Sequence, residues 1–370
     1  MSDSELVDST MSAATAAHWR AMSPTRLLDC GMIYRDIQAL ERETAVGREW
    51  DDVCEELGAA HTAAGEAAAA RGHRLTAAHR FQAAAADYLF AQMAYNYDEP
   101  RKAELYGRFA DSLAQLSTVY RAPLERIELP FPPGAADARL VGWYTEPVGV
   151  PTVGAVVVFG GQSGWGAAYL RNAQALAERG IATVLAEGPG QGESRLRFGV
   201  YLDVDVAAAY GEFVSYAAER TGKPIGVWGN SVGGLFAGLT AAADERVVAC
   251  CINGGFAAPR LLPFRAFTEQ AGAMLGTADP DKIETNFARL RFDPAVQRID
   301  APLLVLHGGA DVLVDLADQQ PFLDGAADGE LRVWPDGDHT IYNHGDERND
   351  DVSDWFADVF TGRRGTKAQE

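Results

Sequence analysis

Ser231 is the residue whose surroundings most clearly suggest chemistry. It stands in the turn Gly229-Asn230-Ser231-Val232-Gly233, after a short apolar run, residues 225–228, and before a helix-like stretch, residues 232–243. Small residues two positions before and after a serine let the backbone turn sharply between strand and helix, so that the hydroxyl projects toward substrate. The turn therefore predicts a nucleophilic serine. As a bare string, the same turn is also compatible with an ordinary loop.

An acid and a histidine follow this serine in the chain. Asp311 lies in the loop after the apolar run 303–306, and His339 lies in the loop after the last predicted strand. A serine hydroxyl needs a neighbouring base, and that base needs an acid to orient it. We therefore predict a triad of Ser231, His339 and Asp311. Taken singly, Asp311 or Asp315 also suits a helix cap, and His339 also suits an exposed loop.

Two backbone amides are candidates for stabilising the negative charge on an attacked carbonyl oxygen. The amide of Val232 follows the serine, and the amide of Gln162 lies in the glycine-rich loop 160–164 after an early strand. Such a pair of donors forms the oxyanion hole of many acyl-transfer enzymes. The glycines also suggest a phosphate-binding loop, but no Lys-Ser or Lys-Thr follows and the spacing differs from a dinucleotide fingerprint. We predict no cofactor and no metal.

Strand-like and helix-like segments alternate through the second part of the chain and would position these residues. The predicted strands are residues 126–131, 140–144, 153–159, 181–186, 225–228, 247–252, 303–306 and 331–334. Predicted helices lie between them, at residues 167–179, 204–220 and 232–243, with a last one at 349–360. This alternation predicts an α/β fold with a doubly wound, mostly parallel sheet, whose ligands bind beyond the carboxyl ends of the strands.

The rest of the chain divides into further segments. Residues 1–122 are predicted as a helical N-terminal domain of about four helices, broken near Gly47, Gly72 and Pro100, with Asp98 as a helix cap. Residues 123–362 are predicted as the sheet domain, with an inserted helical cap at about 256–295, and 363–370 as a frayed tail. The helical domain and the cap are expected to cover the site. Glu187, after another strand, is predicted to hold its own glycine-rich loop.

Composition excludes several classes of function. The net charge of -20 repels phosphate backbones and anionic lipid, so we expect neither nucleic acid nor membrane as a partner. The four cysteines lack metal-ligand spacing and disulfide density, and the polar N-terminus does not resemble a secretory signal, so a cytoplasmic location is expected. The expected partner is a small-molecule substrate, and the helical domain makes a homodimer plausible. Four histidines, His18, His61, His73 and His79, are predicted on helical surfaces.

Several of these motifs together resemble the FrsA-like family of α/β-hydrolases. They are Gly160-Gly161, the turn 188–193, the serine turn, Asn253-Gly254-Gly255-Phe256, and Gly337-Asp338-His339 with the helix after it. The resemblance spans nearly the whole chain and implies an α/β-hydrolase fold with a helical N-terminal domain and an inserted segment. It also implies hydrolysis of a carbon-carbon bond beside a ketone; another member shortens polyketides in this way. Residues 257–268 lack the extra acid assigned in the family and contain Arg260 and Arg265.

Three hypotheses follow. The leading one is a serine hydrolase that cleaves a carbon-carbon bond beside a ketone in a diketone-like or polyketide-like molecule through an acyl-enzyme. The second keeps the triad and cleaves an ester, lactone or thioester, for which the missing acid is not needed. The third is a protein-interaction role for the alanine-rich helices before Tyr120. Arg260 and Arg265 are expected either to meet an anionic substrate or to be exposed.

Overall fold

The computed structural model describes residues 10–131, 137–203 and 205–363, which form two compact units. The first, here the helical unit, ends at Tyr120, whereas the domain boundary was predicted after Ala122. The second, here the sheet unit, contains Asn96–Asp98 and the chain from Arg121 onward. Apart from Arg363, the predicted frayed tail lies outside the described residues.

The helical unit contains more breaks than its sequence suggested. Its helices, among the described residues, are α1 (Ala13–Ala21), α2 (Pro24–Asp29), α3 (Tyr34–Ala45), α4 (Trp50–Ala70), α5 (Arg74–Gln92) and α6 (Pro100–Val119). The predicted breaks at Gly47 and Gly72 are present, and both glycines have the positive φ angles that end a helix readily. The missed breaks are at Ser23, which caps α2, and at Gly31, with φ 99°. The prediction of four helices was therefore too low.

The predicted cap at Asp98 was wrong. Helix α6 has Glu99 at its N-cap position and Pro100 as its first residue, without a side-chain capping bond. Asp98 belongs to the sheet unit, where its carboxylate lies 2.9 Å from the Arg195 guanidinium and accepts a 2.9 Å hydrogen bond from the Tyr201 hydroxyl. An ion pair across such a distance in the chain cannot be inferred from local sequence.

The sheet unit is built on one sheet of eight strands among the described residues. The strands are β1 (Leu124–Pro130), β2 (Arg139–Thr145), β3 (Gly154–Phe159), β4 (Ile181–Glu187), β5 (Ile225–Asn230), β6 (Val247–Asn253), β7 (Leu303–Gly308) and β8 (Gly329–Trp334). Their order is β1-β2-β4-β3-β5-β6-β7-β8, parallel from β4 to β8 and antiparallel at β1 and β2. Every residue of β3, β4 and β5 is buried, as expected for parallel strands covered on both faces.

Helices cover the faces of this sheet, and eight α-helices lie in the described residues of the sheet unit. They are α7 (Leu170–Glu178), α8 (Gly192–Leu196), α9 (Val206–Thr221), α10 (Val232–Ala243), α11 (Arg265–Leu275), α12 (Pro280–Arg289), α13 (Leu316–Gly325) and α14 (Gly345–Phe360). Helix α9 packs with α10, and α14 packs with α7. The close packing of α14 leaves no space for a side chain at Gly226 in β5, where a Cβ would lie 2.6 Å from the ring of Phe356. No described helix is long and apolar enough to cross a membrane.

Helices α11 and α12 lie in the segment predicted as an insertion. The two ends of this segment meet: the Phe292 amide donates a 2.7 Å hydrogen bond to the Ala257 carbonyl oxygen. The Ala257 amide in turn donates to the Asp318 carbonyl oxygen at 2.9 Å, in α13. The two ends of the segment therefore lie at nearly one point of the sheet unit.

Candidate active site

The strand order explains why residues far apart in sequence meet at one edge of the sheet. Strand β3 neighbours β5, and β7 neighbours β8, with β6 between the two pairs. Parallel strands end at a common edge, so the loops after them lie side by side. Ser231 follows β5, Asp311 follows β7 and His339 follows β8. The sheet thus brings the three predicted triad residues to the same edge.

Ser231 occupies a strained backbone conformation between β5 and α10. Its φ and ψ are 57° and -127°, in a region that residues with a side chain rarely adopt. The flanking glycines make this turn possible. A Cβ at Gly229 would collide with the Gly233 carbonyl oxygen, and a Cβ at Gly233 would lie 2.5 Å from the Gly160 carbonyl oxygen. The turn thus holds the serine side chain above the edge of the sheet, as its sequence predicted.

The structure places Ser231, His339 and Asp311 in one hydrogen-bonded row. The Nε2 atom of His339 lies 3.0 Å from the Oγ atom of Ser231, and its Nδ1 atom lies 2.8 Å from a carboxylate oxygen of Asp311. The His339 side chain is 17% exposed, whereas that of Asp311 is fully buried. This geometry lets the imidazole accept the serine proton while the carboxylate holds its opposite nitrogen protonated.

The carboxylate of Asp311 is held in its charged form. Burial alone raises its pKa, but hydrogen bonds from His339 and from the amides of Leu313 and Val314 outweigh burial and bring the pKa below its ordinary value of 3.8. Those amides donate to its second oxygen at 2.8 and 3.1 Å. Asp315, the other candidate helix cap, forms a reciprocal capping box at the start of α13.

The two predicted oxyanion donors belong to segments that lie beside the serine. Val232 is the first residue of α10, so its amide has no partner within the helix. Gly161 lies against the nucleophile from the β3 side: a Cβ there would lie 3.2 Å from the Ser231 Cβ and 3.7 Å from its Oγ. Gln162 follows it and is buried. The geometry therefore brings the predicted donor loop next to Ser231.

Glu187 has the scaffolding contacts predicted for it. It is buried at the end of β4 and accepts a 2.7 Å hydrogen bond from the Glu193 amide. Its backbone oxygen accepts a bond from the Ser194 hydroxyl, whose oxygen also accepts from the Val141 amide at 2.7 Å. These contacts tie the glycine-rich turn after β4 to the sheet.

A polar network behind the histidine loop was not predicted. The Asn253 side-chain amide donates to the Asn230 side-chain oxygen at 3.0 Å and to the Thr340 carbonyl oxygen at 2.9 Å. The buried Arg348 also donates to that carbonyl, at 2.8 Å. Thr340 and Ile341 both have positive φ angles, 58° and 61°, which are unfavourable for such residues. The network thus holds the strained segment directly after His339.

One other histidine departs from its prediction. His61 was expected on a helical surface, but it is buried in the helical unit and forms a 2.6 Å hydrogen bond with Asp36. Its donor atoms and those of Asp36 and Asp87 lie within 4.8 Å of one another, a spacing compatible with a metal ion. However, Nδ1 of His61 lies 3.3 Å from an Arg80 nitrogen, whereas a metal-bound imidazole normally donates to an acceptor there. The contacts of His61 with Asp36 and Arg80 therefore fit a hydrogen-bonded network better than a metal centre.

His344 and the two arginines of the segment 257–268 lie in ordinary contacts. The Nε2 atom of His344 lies 3.1 Å from a carboxylate oxygen of Asp336, and its Nδ1 atom lies 3.2 Å from a carboxylate oxygen of Glu347. Arg260 and Arg265 are exposed, and each forms an ion pair, with Asp318 and Glu269 respectively. Arg260 and Arg265 were expected either to meet an anionic substrate or to be exposed, and they are exposed.

Comparisons with known proteins agree with this architecture. The chain is 28% identical to 2,6-dihydropseudooxynicotine hydrolase of Paenarthrobacter nicotinovorans, over 90% of each chain. The crystal structure of 2,6-dihydroxy-pseudo-oxynicotine hydrolase superposes with a TM-score of 0.82 at 24% identity, covering 91% of this chain and 96% of the other. The structure of AbyA5 has a TM-score of 0.66 at 19% identity and covers 83% of this chain and 89% of that one. The resemblance predicted from the motifs and the α/β-hydrolase fold are confirmed.

The family model that matches is that of the prolyl oligopeptidase family. The match covers residues 167–363, just over half of the chain, and includes Ser231, Asp311 and His339. Together with the hydrolase relative, it makes the protein a serine-type α/β-hydrolase. The chain belongs to the prolyl oligopeptidase family.

Proposed function

We propose that the protein hydrolyses a carbon-carbon bond beside a ketone in a diketone-like or polyketide-like small molecule, through an acyl-enzyme on Ser231. The observation that carries the proposal is the row of Ser231, His339 and Asp311 with contacts of 3.0 and 2.8 Å. The similarity to 2,6-dihydropseudooxynicotine hydrolase over 90% of both chains supports a ketone-bearing substrate.

The first half of the reaction forms the acyl-enzyme. His339 Nε2 takes the hydroxyl proton of Ser231 as Oγ bonds to the substrate carbonyl carbon. The negative charge that develops on the carbonyl oxygen is stabilised by the amides of Gln162 and Val232. When the adduct collapses, the carbon-carbon bond breaks and its electron pair passes to the leaving carbon, where the neighbouring ketone stabilises it as an enolate. His339 then returns the proton to that carbon, and a ketone leaves.

The second half releases the acyl group. His339 removes a proton from a water molecule, whose oxygen attacks the acyl carbon, and the Ser231 oxygen leaves with that proton. The product is a carboxylic acid. Asp311 remains ionised throughout because its pKa lies below the ordinary value, so it stabilises the protonated imidazole in both halves.

A second candidate function is hydrolysis of an ester, lactone or thioester by the same residues. The favouring observation is that residues 257–268 contain no acid, while Arg260 in this segment is paired with Asp318. An alkoxide or thiolate leaves more readily than an enolate carbon, so this chemistry needs no additional acid. The dimer, the cytoplasmic location and the interaction role of the helices before Tyr120 stay predictions.

Isotopic labelling distinguishes the two candidates. A panel of 1,3-diketones and matched activated esters is incubated with the protein in deuterated water and, separately, in ¹⁸O-labelled water. For a diketone whose central carbon carries two alkyl groups, and so has no hydrogen to exchange beforehand, carbon-carbon hydrolysis places one deuterium on that carbon and one ¹⁸O in the acid. Turnover of esters with no diketone cleavage would favour the second candidate. If Ser231→Ala retained full activity, or a fluorophosphonate probe failed to label Ser231, both candidates would be wrong.

A further inference from the structure

A fully buried glutamine lies directly behind the predicted oxyanion loop. The Nε2 group of Gln191 donates hydrogen bonds to the carbonyl oxygens of Gly160 and Gly161, at 2.9 and 3.0 Å. Its Oε1 atom accepts bonds from the Gly188 amide at 3.1 Å and from the Tyr210 hydroxyl at 3.2 Å. The amide therefore uses both of its donors and two acceptor positions. The reversed orientation would place its oxygen against two carbonyl oxygens, so only this orientation fits.

The position of these bonds matters because of peptide geometry. The carbonyl of Gly161 and the amide N-H of Gln162 belong to the same planar trans peptide, in which they point in opposite directions. A hydrogen bond that fixes the carbonyl oxygen therefore also fixes the direction of the N-H. Gly161 lies against Ser231, so the Gln162 amide is presented beside the nucleophile. Replacement of Gln191 removes these two hydrogen bonds from a glycine-rich peptide, whose backbone is intrinsically flexible.

Gln191 is itself held by a rigid aromatic stack. The ring of Tyr210 stacks on Phe159 at 4.1 Å between centroids and lies 5.5 Å from Phe236. Burial raises the pKa of Tyr210 far above its ordinary value, so its hydroxyl remains a neutral donor. Gly188 passes so close to this hydroxyl that a Cβ there would collide with it. The donor loop is thus connected through Gln191 to the packed core between β3, α9 and α10.

We propose that Gln191 is a positioning residue for the oxyanion site. It does not touch the substrate; it holds the Gly161–Gln162 peptide so that the Gln162 N-H points toward the oxygen that becomes negatively charged. The inference rests on the proposed function, because it assigns a role to Gln191 only if Ser231 attacks a carbonyl. It applies equally to diketone and ester substrates, since both pass through a tetrahedral oxyanion.

The test compares Gln191→Met, which keeps the approximate volume but removes all four hydrogen bonds, with Gln191→Glu, which keeps the shape but places an acceptor against the two carbonyl oxygens. Tyr210→Phe is the matched control, because it removes one bond to Gln191 and leaves the bonds to Gly160 and Gly161. Activity is expressed per titrated active site, using the best substrate of the wild-type chain, so that loss of folded protein does not count as loss of rate.

Loss of one oxyanion donor typically lowers kcat by about 100-fold or more, so we expect losses approaching this size for both Gln191 variants, with little change in KM. Binding of a boronic acid that forms an anionic tetrahedral adduct with Ser231 should weaken in parallel, whereas Tyr210→Phe should change both values much less.

A structural role alone would lower thermal stability and leave the per-site kcat and the boronate affinity unchanged; that result would overturn the proposal. If Gln191→Met is poorly folded, Gln191→Glu decides by the same two measurements. Failure of the proposed function is seen separately, as activity that persists in Ser231→Ala.

Discussion

Each of the two units contains a buried carboxylate that is hydrogen-bonded to a histidine side chain. The two pairs differ in the group that lies next to the second nitrogen of the imidazole. In the sheet unit, His339 lies 2.8 Å from Asp311, and its second nitrogen lies 3.0 Å from the Ser231 hydroxyl. In the helical unit, His61 lies 2.6 Å from Asp36, and its second nitrogen faces a guanidinium nitrogen of Arg80 at 3.3 Å. Only the first pair presents a free proton acceptor to a nucleophile.

Exposure separates the pairs further. The His339 side chain is 17% exposed, whereas that of His61 is 2% exposed. A base must reach both a nucleophile and a substrate, whereas a structural imidazole needs only satisfied hydrogen bonds. A carboxylate-imidazole pair is therefore not in itself a sign of catalysis. The partner of the second nitrogen decides its role.

The most direct test of the difference between the two pairs is to replace each histidine by asparagine. We expect His339→Asn to lower kcat by a factor on the order of 10⁴ or more, because the base is lost. His61→Asn should leave kcat largely unchanged but lower the free energy of unfolding by about 2 to 4 kcal/mol, because it disrupts a buried charged network. Steady-state kinetics and urea unfolding of both variants check this. Equal losses of kcat in two folded variants would contradict the distinction.

A smaller effect concerns Asp87, the second carboxylate of the cluster with Asp36 and His61. Asp87 is buried, and neither of its oxygens has a hydrogen-bond partner among the described residues. Burial, reinforced by nearby Asp36, raises its pKa well above 3.8. The folded chain therefore holds this proton at pH values where the unfolded chain has lost it, so this group makes stability fall as pH rises above 3.8. For Asp311, whose pKa is lowered, the stabilising contribution is present above 3.8 and is lost as pH falls through its lower folded pKa.

Opposite pH responses are thus expected for two isosteric variants. Asp87→Asn should raise the free energy of unfolding at pH 7 by an amount on the order of 1 kcal/mol, with the gain shrinking toward pH 4. Asp311→Asn should lower stability at pH 7, with the loss shrinking as the solution is acidified. Urea unfolding at several pH values measures both. Parallel responses would show that the two carboxylates do not differ in the way the structure indicates.

The smallest expected effect concerns Arg35, the exposed residue that pairs with Asp36. Arg35 lies 3.0 Å from Asp36, but its side chain is 68% exposed. Exposed ion pairs contribute at most about 1 kcal/mol, so Arg35→Gln should reduce the free energy of unfolding by less than that and leave kcat unchanged. A loss as large as that of His61→Asn would show that the network depends on its exposed member. The same urea experiment measures it.

Local sequence signals were sufficient to predict the strands, helix α10 and the loops at the sheet edge. Residues 232–243 were predicted as a helix, and α10 has these bounds. Ser231, Asp311 and His339 were identifiable because each follows a short apolar strand and because parallel strands end at a common edge. The distances between them were not predictable, but their meeting was.

Contacts between distant segments were not predictable in this way. His61 was expected on a surface because nothing in its alanine-rich neighbourhood reveals that Asp36 approaches it. The turn that contains Gln191 was recognised as distinctive, but its bonds to Gly160 and Gly161 require the register between the loops after β3 and β4. Asn253 stood in a recognised motif, yet its bond to the Thr340 carbonyl depends on where β8 places the histidine loop. In each case the missing information was tertiary geometry.

The hydrogen bond between Ala257 and Phe292 at the ends of the α11–α12 segment has a consequence for the length of this segment. Because a backbone hydrogen bond of 2.7 Å joins the two ends of the segment, a change of length between α11 and α12 does not require these ends to separate. Each doubling of such a loop costs only about 0.6 kcal/mol in closure entropy. The stretch between α11 and α12 can therefore change in length while the serine, aspartate and histidine stay where the sheet holds them.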